Sequence, residues 1–494
     1  MQRAILLLAD GLRPDVAEDL LAAGDLPNLA ATLSPRGVSR ALTCLPSTTN
    51  VAYLPFLTGC TPGRLNVPAI RWLDRTQYAG RWWRDRRALR SYCGYQAGLL
   101  DHDLPADVRT IWELVPESAG FFTPIARGLT RERDPVRGAR KFWGALAHFV
   151  VPLHRAADRA VARGLLRAVE QPWRFIFAQF PGVDGFTHSH GPGSPQVHRA
   201  MRDLDATVGR LRAALVRQGA LEDTLIVLVS DHGAAPVHTH LDLAEWFRRH
   251  GVPTLSHPIL WARSPRCAVT TSGNGHAMVY AQPGTPRADR WPVARLRRPD
   301  AFGAGQDLVQ ALAREPAVAF VAGESGRGGL ELVSSDGSAE IFRTGSRVVY
   351  RPRTGDPLRI GATRAAMPDE WLAYGALDPY PDAAVQLLDQ FQAPRTGDLV
   401  VAAAEGFDLR ERFEAPEHRA GHGSAVRSHM QIPLWSSEPL PASPLRSVDV
   451  FPALLDWLGE PIPAGIDARQ VWLPGTRRRQ PTHRPVRPAA AMAG

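Results

Sequence analysis

Two short apolar runs in the sequence are each followed by an aspartate and a histidine. Such runs, when bounded by turn residues, are typical of buried strands in a parallel sheet. The two pairs are Asp184 with His188, after residues 175–180, and Asp231 with His232, after residues 225–229. Ligands of open α/β sheets bind beyond the carboxyl ends of the strands. Carboxylate and imidazole at that edge of the sheet predict a Zn²⁺ or Mn²⁺ site.

Three further polar residues occupy similar positions. Asp10 follows the first apolar run of the chain, and His422 lies between two glycines after a later strand-like run. Thr49 lies between a strand-like stretch and a predicted helix at Val51–Leu57. A hydroxyl at such a junction is near the positive end of the helix dipole, where a phosphate or an activated oxygen is stabilised. We expect these residues to join the same site, with Thr48 as a second candidate for the reactive hydroxyl.

An α/β fold with a mostly parallel central sheet would position these residues. Helical spacing over Met201–Gln218 predicts the crossover helix that leads into one of the strands. The segment from about residue 64 to residue 173 is rich in Arg and Trp, as in Arg81-Trp82-Trp83-Arg84, and is expected to form a cap over the site. Residues of about 290–392 alternate between strand-like runs and turns, which predicts a second insertion with its own small sheet.

The length of 494 residues allows two to four domains or one large α/β core with insertions, and we expect the latter over residues 1–473. Residues 474–494, where Pro, Arg and Ala dominate, are expected to form a disordered basic tail. The net charge is +9 and is carried mostly by arginine. This charge favours attraction to phosphate-bearing substrates or peripheral contact with an anionic membrane, and no specific nucleic-acid binding is expected. The amphipathic stretch Ala145–Val169 predicts a helix packed on the cap or the core, with a membrane-surface helix as the alternative.

No apolar run reaches the length of about 18 residues that a transmembrane helix needs. The apolar N-terminal run enters charged sequence at once and lacks a small-residue cleavage site, so it is interpreted as the first core strand, and a cytoplasmic location is expected. Cys44, Cys60, Cys93 and Cys267 lack metal-like spacing. They are predicted to be free thiols.

Five motifs in a fixed order carry a family resemblance. They are Asp10-Gly11, Pro46-Ser47-Thr48-Thr49 followed by Thr58-Gly59, Asp184-x-x-x-His188-x-x-Gly191-Pro192, Ser230-Asp231-His232-Gly233 and Gly421-His422-Gly423. This order resembles the alkaline phosphatase superfamily and, within it, the type I phosphodiesterase/nucleotide pyrophosphatase family. The resemblance implies an alkaline phosphatase-like three-layer α/β sandwich with inserted cap segments.

The resemblance also implies two divalent metal ions, Zn²⁺ or alternatively Mn²⁺. The implied ligands are, for one ion, Asp10, Asp231, His232 and the Thr49 hydroxyl and, for the other, Asp184, His188 and His422. Three protein ligands leave each metal an open position, and two metals about 4 Å apart can clamp the attacking and leaving oxygens. Thr49 is the implied nucleophile. A free hydroxyl is too weakly acidic to attack at neutral pH, and binding to the metal would activate it.

The sequence departs from the family pattern close to the nucleophile. Val51 stands where the family usually carries proline, and Leu65-Asn66 stands where it usually carries His-Gly. The family's phosphate-contacting asparagine therefore has two candidates in this chain, Asn50 and Asn66. The departure concerns substrate binding and leaves the implied metal ligands unchanged.

The stretch Cys60-Thr61-Pro62-Gly63-Arg64 fits the Cys-x-Pro-x-Arg core of sulfatases, which share the fold. In sulfatases the cysteine precedes the Leu-x-Thr-Gly helix end, whereas Cys60 follows Thr58-Gly59. Thr49 already occupies the corresponding position. A sulfatase is therefore less favoured than a phosphoric ester hydrolase.

We therefore expect a metal-dependent enzyme that hydrolyses a phosphodiester or pyrophosphate bond of a small substrate through a phospho-threonine intermediate. Within the enzymes, the alternative is a phosphomonoesterase or phosphotransferase acting on a lipid or polyol headgroup. A non-catalytic binding protein of the same fold is the alternative from another class, and the presence of all six implied ligands argues against it. The sequence leaves the oligomeric state open.

Overall fold

The computed structural model describes residues 1–33, 39–79, 88–138, 140, 153–256, 264–410 and 417–479. The Arg/Trp motif at residues 81–84 and the first part of the amphipathic stretch, residues 145–152, lie outside this part of the chain. Among the described residues, no helix combines the length and the apolar character needed to cross a membrane. All four cysteines are free thiols, as predicted.

The strands are numbered in chain order. They are β1 Arg3–Ala9, β2 Ser39–Leu42, β3 Arg71–Leu73, β4 Leu89–Ser91, β5 Ser118–Phe121, β6 Phe175–Phe180, β7 Thr224–Val229, β8 Ala235–His240, β9 Thr254–Ser256, β10 Cys267–Ser272, β11 His276–Ala281, β12 Val318–Glu324, β13 Leu330–Ser334, β14 Gly337–Thr344, β15 Arg347–Gly355, β16 Arg364–Ala366, β17 Leu399–Ala403, β18 Gly406–Asp408, β19 Ala420–Gly421 and β20 Gln431–Ser436.

The α-helices are numbered in the same way. They are α1 Pro14–Ala22, α2 Pro27–Thr32, α3 Leu54–Thr58, α4 Leu100–Asp103, α5 Ile111–Leu114, α6 Leu153–Ala168, α7 Gly182–His190, α8 Pro195–Arg217, α9 Leu243–Arg249, α10 Val293–Leu296, α11 Leu308–Ala313, α12 Pro368–Gly375, α13 Ala383–Gln390, α14 Arg427–Met430, α15 Val450–Leu458 and α16 Pro474–Arg479.

The sheet that carries the predicted site has six strands, in the order β2-β20-β7-β1-β6-β5. The strands β7, β1, β6 and β5 are parallel to one another, whereas β20 and β2 are antiparallel to their neighbours at one edge. The predicted α/β class is confirmed, with a mixed central sheet whose parallel part is the one that ends at the site.

Both faces of this sheet are buried, which explains why its strands are continuous apolar runs rather than alternating ones. Ile5 and Leu7 of β1 face a cluster that includes residues of α1, α6, α7 and α8. Leu6 and Leu8 face the opposite cluster, which includes residues of α3 and α15. The central sheet thus lies between two layers, as the three-layer architecture requires.

A second sheet has nine strands, in the order β16-β15-β14-β13-β12-β17-β11-β10-β9. The insertion at about residues 290–392 therefore does not form a small sheet of its own. Its strands β12–β16 continue a sheet that includes β11 and β17, because β12 pairs with the fully buried strand β17 and covers its edge.

Two further expectations need correction. The segment 64–173 is not only a cap, because β5 is an edge strand of the central sheet and α6 packs into the core with its buried residues Ala157, Val161 and Leu165. The tail predicted over residues 474–494 begins with a helix, α16, which contacts α15. The remainder of the tail lies outside the described residues.

Candidate active site

Strands β1 and β7 bring together Asp10, His232 and Thr49. Asp10 directly follows β1, and His232 is the third residue after β7. The Thr49 Oγ1 atom lies 3.0 Å from His232 Nε2 and 3.4 Å from Asp10 Oδ1. Asp10 and His232 are buried, so the hydroxyl faces a carboxylate and an imidazole in a largely dehydrated setting.

Helix α7 supplies the next two residues. Asp184 and His188 are four residues apart, so both point to one side of the helix. His188 Nε2 lies 3.4 Å from Asp184 Oδ1, and His422 Nε2 lies 4.0 Å from the same oxygen. His422 follows the short strand β19 and stacks on His232 with 3.7 Å between the ring centroids.

The three histidines share one hydrogen-bonding arrangement. Each directs Nδ1 at a backbone carbonyl oxygen: His188 at Ala420, His232 at Gly233 and His422 at Ser47, at 2.8, 2.9 and 3.0 Å. A carbonyl can only accept, so Nδ1 carries the proton and donates, and each Nε2 presents a lone pair to the site. This is the tautomer that a metal-ligating histidine needs.

Three carboxylates lie close together in this buried site. Burial raises the pKa of Asp231 to about 8, and the nearby Asp184 adds to that rise. Burial, followed by the charges of Asp231 and Asp184, raises the pKa of Asp10 well above its usual range. Asp184 Oδ1 and Asp231 Oδ2 are buried and bond to no donor among the described residues. A bound cation would stabilise the ionised form of these buried, clustered carboxylates.

The donor set fits a divalent metal ion. Two groups of ligand atoms converge within 4.8 Å, and Asp184 is common to both. The groups are Asp184 with His188 and His422, and Asp10 with Asp184 and His232. Asp231 Oδ2 lies 3.3 Å from His232 Nε2, beside the second group. The six side chains predicted from the sequence as ligands, together with Thr49, thus lie in one place, and their nitrogen and carboxylate donors suit Zn²⁺ or Mn²⁺.

The sequence analysis missed the side chains that hold Asp10. Tyr53 donates to Asp10 Oδ2 at 2.6 Å, and Gln179 donates to the same oxygen at 2.7 Å. Gln179 is the polar residue in the otherwise apolar strand β6, a signal that could have identified it. Gly11 donates its N–H to Asp231 Oδ1 at 3.2 Å. These bonds fix the carboxylates in orientation, as the outer partners of metal ligands do.

Gly11 also allows Asp184 to come close. Its φ is +68°, and a Cβ at this position would lie 2.8 Å from Asp184 Oδ1. The Asp10-Gly11 motif therefore requires glycine for both the backbone conformation and the space.

The two asparagines considered for substrate contact have different surroundings. Asn50 is buried beside Thr49, and its side chain bonds to the Tyr92 carbonyl and to Arg140. Asn66 accepts from the Arg395 backbone N–H at 3.0 Å, so this side chain is used in a loop contact.

The segment after Thr49 differs from the predicted helix. Helix α3 begins at Leu54, and residues 49–53 form turns, because the left-handed Asn50 (φ 71°) and the proline at residue 55 delay helix formation. The N-terminal amides of α3 therefore lie further along the chain than the sequence implied.

Cys60 lies after α3 and is buried. Burial, with a contribution from the Asp467 carboxylate, raises the pKa of its thiol to about 11. A protonated, buried thiol is a poor nucleophile at neutral pH.

Residues 4–306 match the family model described as type I phosphodiesterase / nucleotide pyrophosphatase, which is more than half of the chain. The chain belongs to this family. The resemblance inferred from the five motifs is thereby confirmed, and the metal-ligand geometry described above lies on the family's α/β fold.

Two curated relatives resemble short parts of this family member. GPI ethanolamine phosphate transferase 2 of Aspergillus fumigatus is 32% identical over 93 residues, which is 19% of this chain and 12% of the relative. An uncharacterized pyrophosphatase/phosphodiesterase of Schizosaccharomyces pombe is 29% identical over 89 residues, 18% of each protein. The chain thus aligns with less than a fifth of each of these relatives.

Solved structures resemble this phosphodiesterase-family chain over nearly its whole length. Murine ectonucleotide pyrophosphatase/phosphodiesterase 5, an inactive Thr-to-Ala variant in complex with AMP, has a TM-score of 0.54 at 13% identity, covering 94% of this chain and 96% of that one. Phosphonoacetate hydrolase from Sinorhizobium meliloti, in complex with phosphonoacetate, has a TM-score of 0.51 at 15% identity, covering 91% and 94%. At these identities the likeness establishes the fold.

Proposed function

We propose that this chain is a metal-dependent phosphoric ester hydrolase that cleaves a phosphodiester or pyrophosphate bond through a covalent intermediate on Thr49. Family membership supports the class of reaction. The observation that carries the assignment is the position of Thr49 Oγ1, 3.0 Å from His232 Nε2, within a set of buried carboxylates and imidazoles. Two divalent ions, with Zn²⁺ favoured over Mn²⁺, match this donor set.

The site residues divide into proposed metal ligands and a proposed nucleophile. Asp10, Asp231 and His232 would hold one ion near Thr49, and Asp184, His188 and His422 would hold the other. Such ions supply Lewis acidity to phosphoryl oxygens and lower the pKa of a neighbouring hydroxyl.

Thr49 then gives up its hydroxyl proton to water and attacks phosphorus through Oγ1, while the bond from phosphorus to the leaving alcohol or phosphate breaks in line. Asp10 Oδ1 and His232 Nε2 lie 3.4 and 3.0 Å from Thr49 Oγ1 and so position the hydroxyl beside the metal-ligand candidates. Water attacks the phospho-threonine in a second in-line displacement, and the hydroxyl is restored.

The nucleophile is tested by deleting its hydroxyl. Thr49→Ala keeps the six implied carboxylate and imidazole ligands and should lower kcat by about 10³-fold or more, while metal content persists. Thr49→Ser should retain part of the activity, because it keeps the attacking oxygen. Thr48→Ala is the matched control: Thr48 is a buried neighbour of the same type, and its removal should leave kcat within about threefold. Wild-type turnover by Thr49→Ala would overturn the covalent mechanism.

A second candidate function is a phosphomonoesterase or phosphotransferase acting on a lipid or polyol headgroup. The observation that favours it is the 32% identity over 93 residues to a GPI ethanolamine phosphate transferase. A panel of bis-p-nitrophenyl phosphate, p-nitrophenyl phosphate, a nucleotide p-nitrophenyl ester and p-nitrophenyl sulfate, with and without glycerol, separates the two. A diesterase should prefer the first or third compound, whereas a transferase should form glycerol phosphate in competition with hydrolysis.

A further inference from the structure

Arg140 is a half-buried cation next to the nucleophile segment. Its Nη2 donates to Asn50 Oδ1 at 2.6 Å, and Asn50 directly follows Thr49. The charge of Arg140 acts on Tyr53, whose hydroxyl bonds to the metal-ligand candidate Asp10. The guanidinium therefore lies within electrostatic reach of the reaction centre.

Asn50 is built to hold this guanidinium. Arginine has only donors, so the Asn50 atom that faces it is the carbonyl oxygen. The amide nitrogen of Asn50 donates in turn to the Tyr92 carbonyl at 3.0 Å. The backbone of Asn50 is left-handed (φ 71°), a conformation that asparagine tolerates better than most residues. Both polar atoms of the Asn50 amide are thus hydrogen-bonded, and Asn50 is a positioning residue for the Arg140 guanidinium.

The carboxylates whose charges act on Arg140 each bond to another group, although Asp134 Oδ1 is left without a donor among the described residues. Asp134 pairs with Arg137 at 2.9 Å, and Asp101 accepts from the Ala126 backbone N–H at 2.8 Å. Asp10 belongs to the metal-ligand set. Among the residues that the structure describes, no carboxylate forms an ion pair with Arg140 within 4.0 Å. A partly dehydrated guanidinium without such a partner is predisposed to bind an anion.

We infer that Arg140 is a catalytic residue that binds the non-bridging oxygens of the phosphoryl group while Thr49 attacks. The planar fork of arginine matches two phosphate oxygens, and its fixed position stabilises charge on them without rearrangement. This inference rests on the proposed function and assigns to Arg140 the contact with the ionised non-bridging oxygens that phosphodiesters and pyrophosphates carry.

The test compares Arg140→Ala and Arg140→Lys with the wild type, using holoenzyme loaded with metal. Arg140→Ala should lower kcat/KM for the preferred p-nitrophenyl ester by about 10²–10³-fold. It should raise the inhibition constant of inorganic phosphate at least about tenfold, with metal content unchanged. Arg140→Lys keeps the charge and loses the fork, so an intermediate loss is expected. Added guanidinium ion should restore part of the activity of Arg140→Ala and none to the wild type.

Arg137→Ala is the matched control, because Arg137 comes from the same stretch and pairs with Asp134. It should leave the inhibition constant of phosphate within about threefold. Asn50→Gly suits the left-handed backbone and removes the side-chain amide, so it should shift catalysis in the same direction as Arg140→Ala. The double variant should be no worse than Arg140→Ala alone, because the two residues act as one unit.

Two results would overturn the role of Arg140: an unchanged inhibition constant of phosphate in Arg140→Ala, or equal losses in Arg140→Ala and Arg137→Ala. In either case the proposed function stands if the wild type still cleaves the ester and Thr49→Ala does not. If the wild type cleaves none of the panel esters, the proposed function itself fails.

Discussion

Tyr53→Phe removes one donor from Asp10 and leaves the aromatic ring in the core. The Tyr53 hydroxyl donates to Asp10 Oδ2 at 2.6 Å, and Gln179 remains as a donor at 2.7 Å. A hydrogen bond to a charged group contributes about 1.5–3 kcal/mol, and loss of a side chain that supports a metal ligand typically weakens metal affinity by about 10–100-fold. We expect a loss in the lower half of that range, because one of the two side-chain donors is kept.

The loss should depend on pH. The Tyr53 hydrogen bond lowers the pKa of Asp10, against burial and the charges of Asp231 and Asp184, which raise it. Without that bond the pKa of Asp10 is higher, so protons compete better with the metal. The difference in metal affinity between wild type and Tyr53→Phe should therefore grow as the pH falls.

Competition with a calibrated chelator, at one acidic and one alkaline pH, measures this affinity. Tyr280→Phe is the control, because the Tyr280 hydroxyl is also buried and donates to the Arg395 carbonyl at 2.8 Å, outside the candidate site. Both variants should lose about 1–3 kcal/mol of unfolding free energy, and only Tyr53→Phe should lose metal affinity. Equal metal affinities in the two variants would show that the Tyr53 hydrogen bond does not support Asp10 as a metal ligand.

Three further outcomes are expected. Purified wild type should carry close to two transition-metal ions per chain by elemental analysis and lose activity to a chelator; protein free of metal after metal-replete expression would contradict this. Gly11→Ala should weaken metal binding at least about tenfold, because its Cβ would lie 2.8 Å from Asp184 Oδ1; chelator competition checks it. Burial raises the pKa of Asp158 to about 7, so between pH of about 4 and 7 its carboxyl is protonated in the folded state and ionised in the unfolded state. The free energy of unfolding should therefore fall as the pH rises through this range. Denaturant titrations should show a weaker fall in Asp158→Asn.

Much of the candidate site could be predicted because the strands that lead to it are easily recognised in the sequence. β1, β6 and β7 are buried on both faces, so each is an uninterrupted apolar run, and the polar residues that follow mark the edge of the sheet. Helix α7 could not be predicted in this way. Gly182, Gly185 and several polar residues remove the apolar periodicity, although the i, i+4 spacing of Asp184 and His188 is a helical signal.

The contacts that complete the site come from distant segments and were beyond the reach of sequence patterns. Arg140 bonds to Asn50 from 90 residues away, and Gln179 reaches Asp10 from 169 residues away. The nine-stranded sheet was missed for the same reason. The pairing of β12 with β17 depends on an edge that forms only when the chain is folded.

The stereochemical course at phosphorus reports directly on the covalent intermediate at Thr49. A chiral phosphorothioate diester, isotopically labelled at one oxygen, would be hydrolysed by the metal-loaded wild type and the configuration of the product determined. Attack by Thr49 followed by attack by water comprises two in-line displacements, each of which inverts the phosphorus centre. Net retention of configuration is therefore expected. Net inversion would contradict the covalent mechanism, because a single displacement by water leaves no place for a covalent intermediate on Thr49.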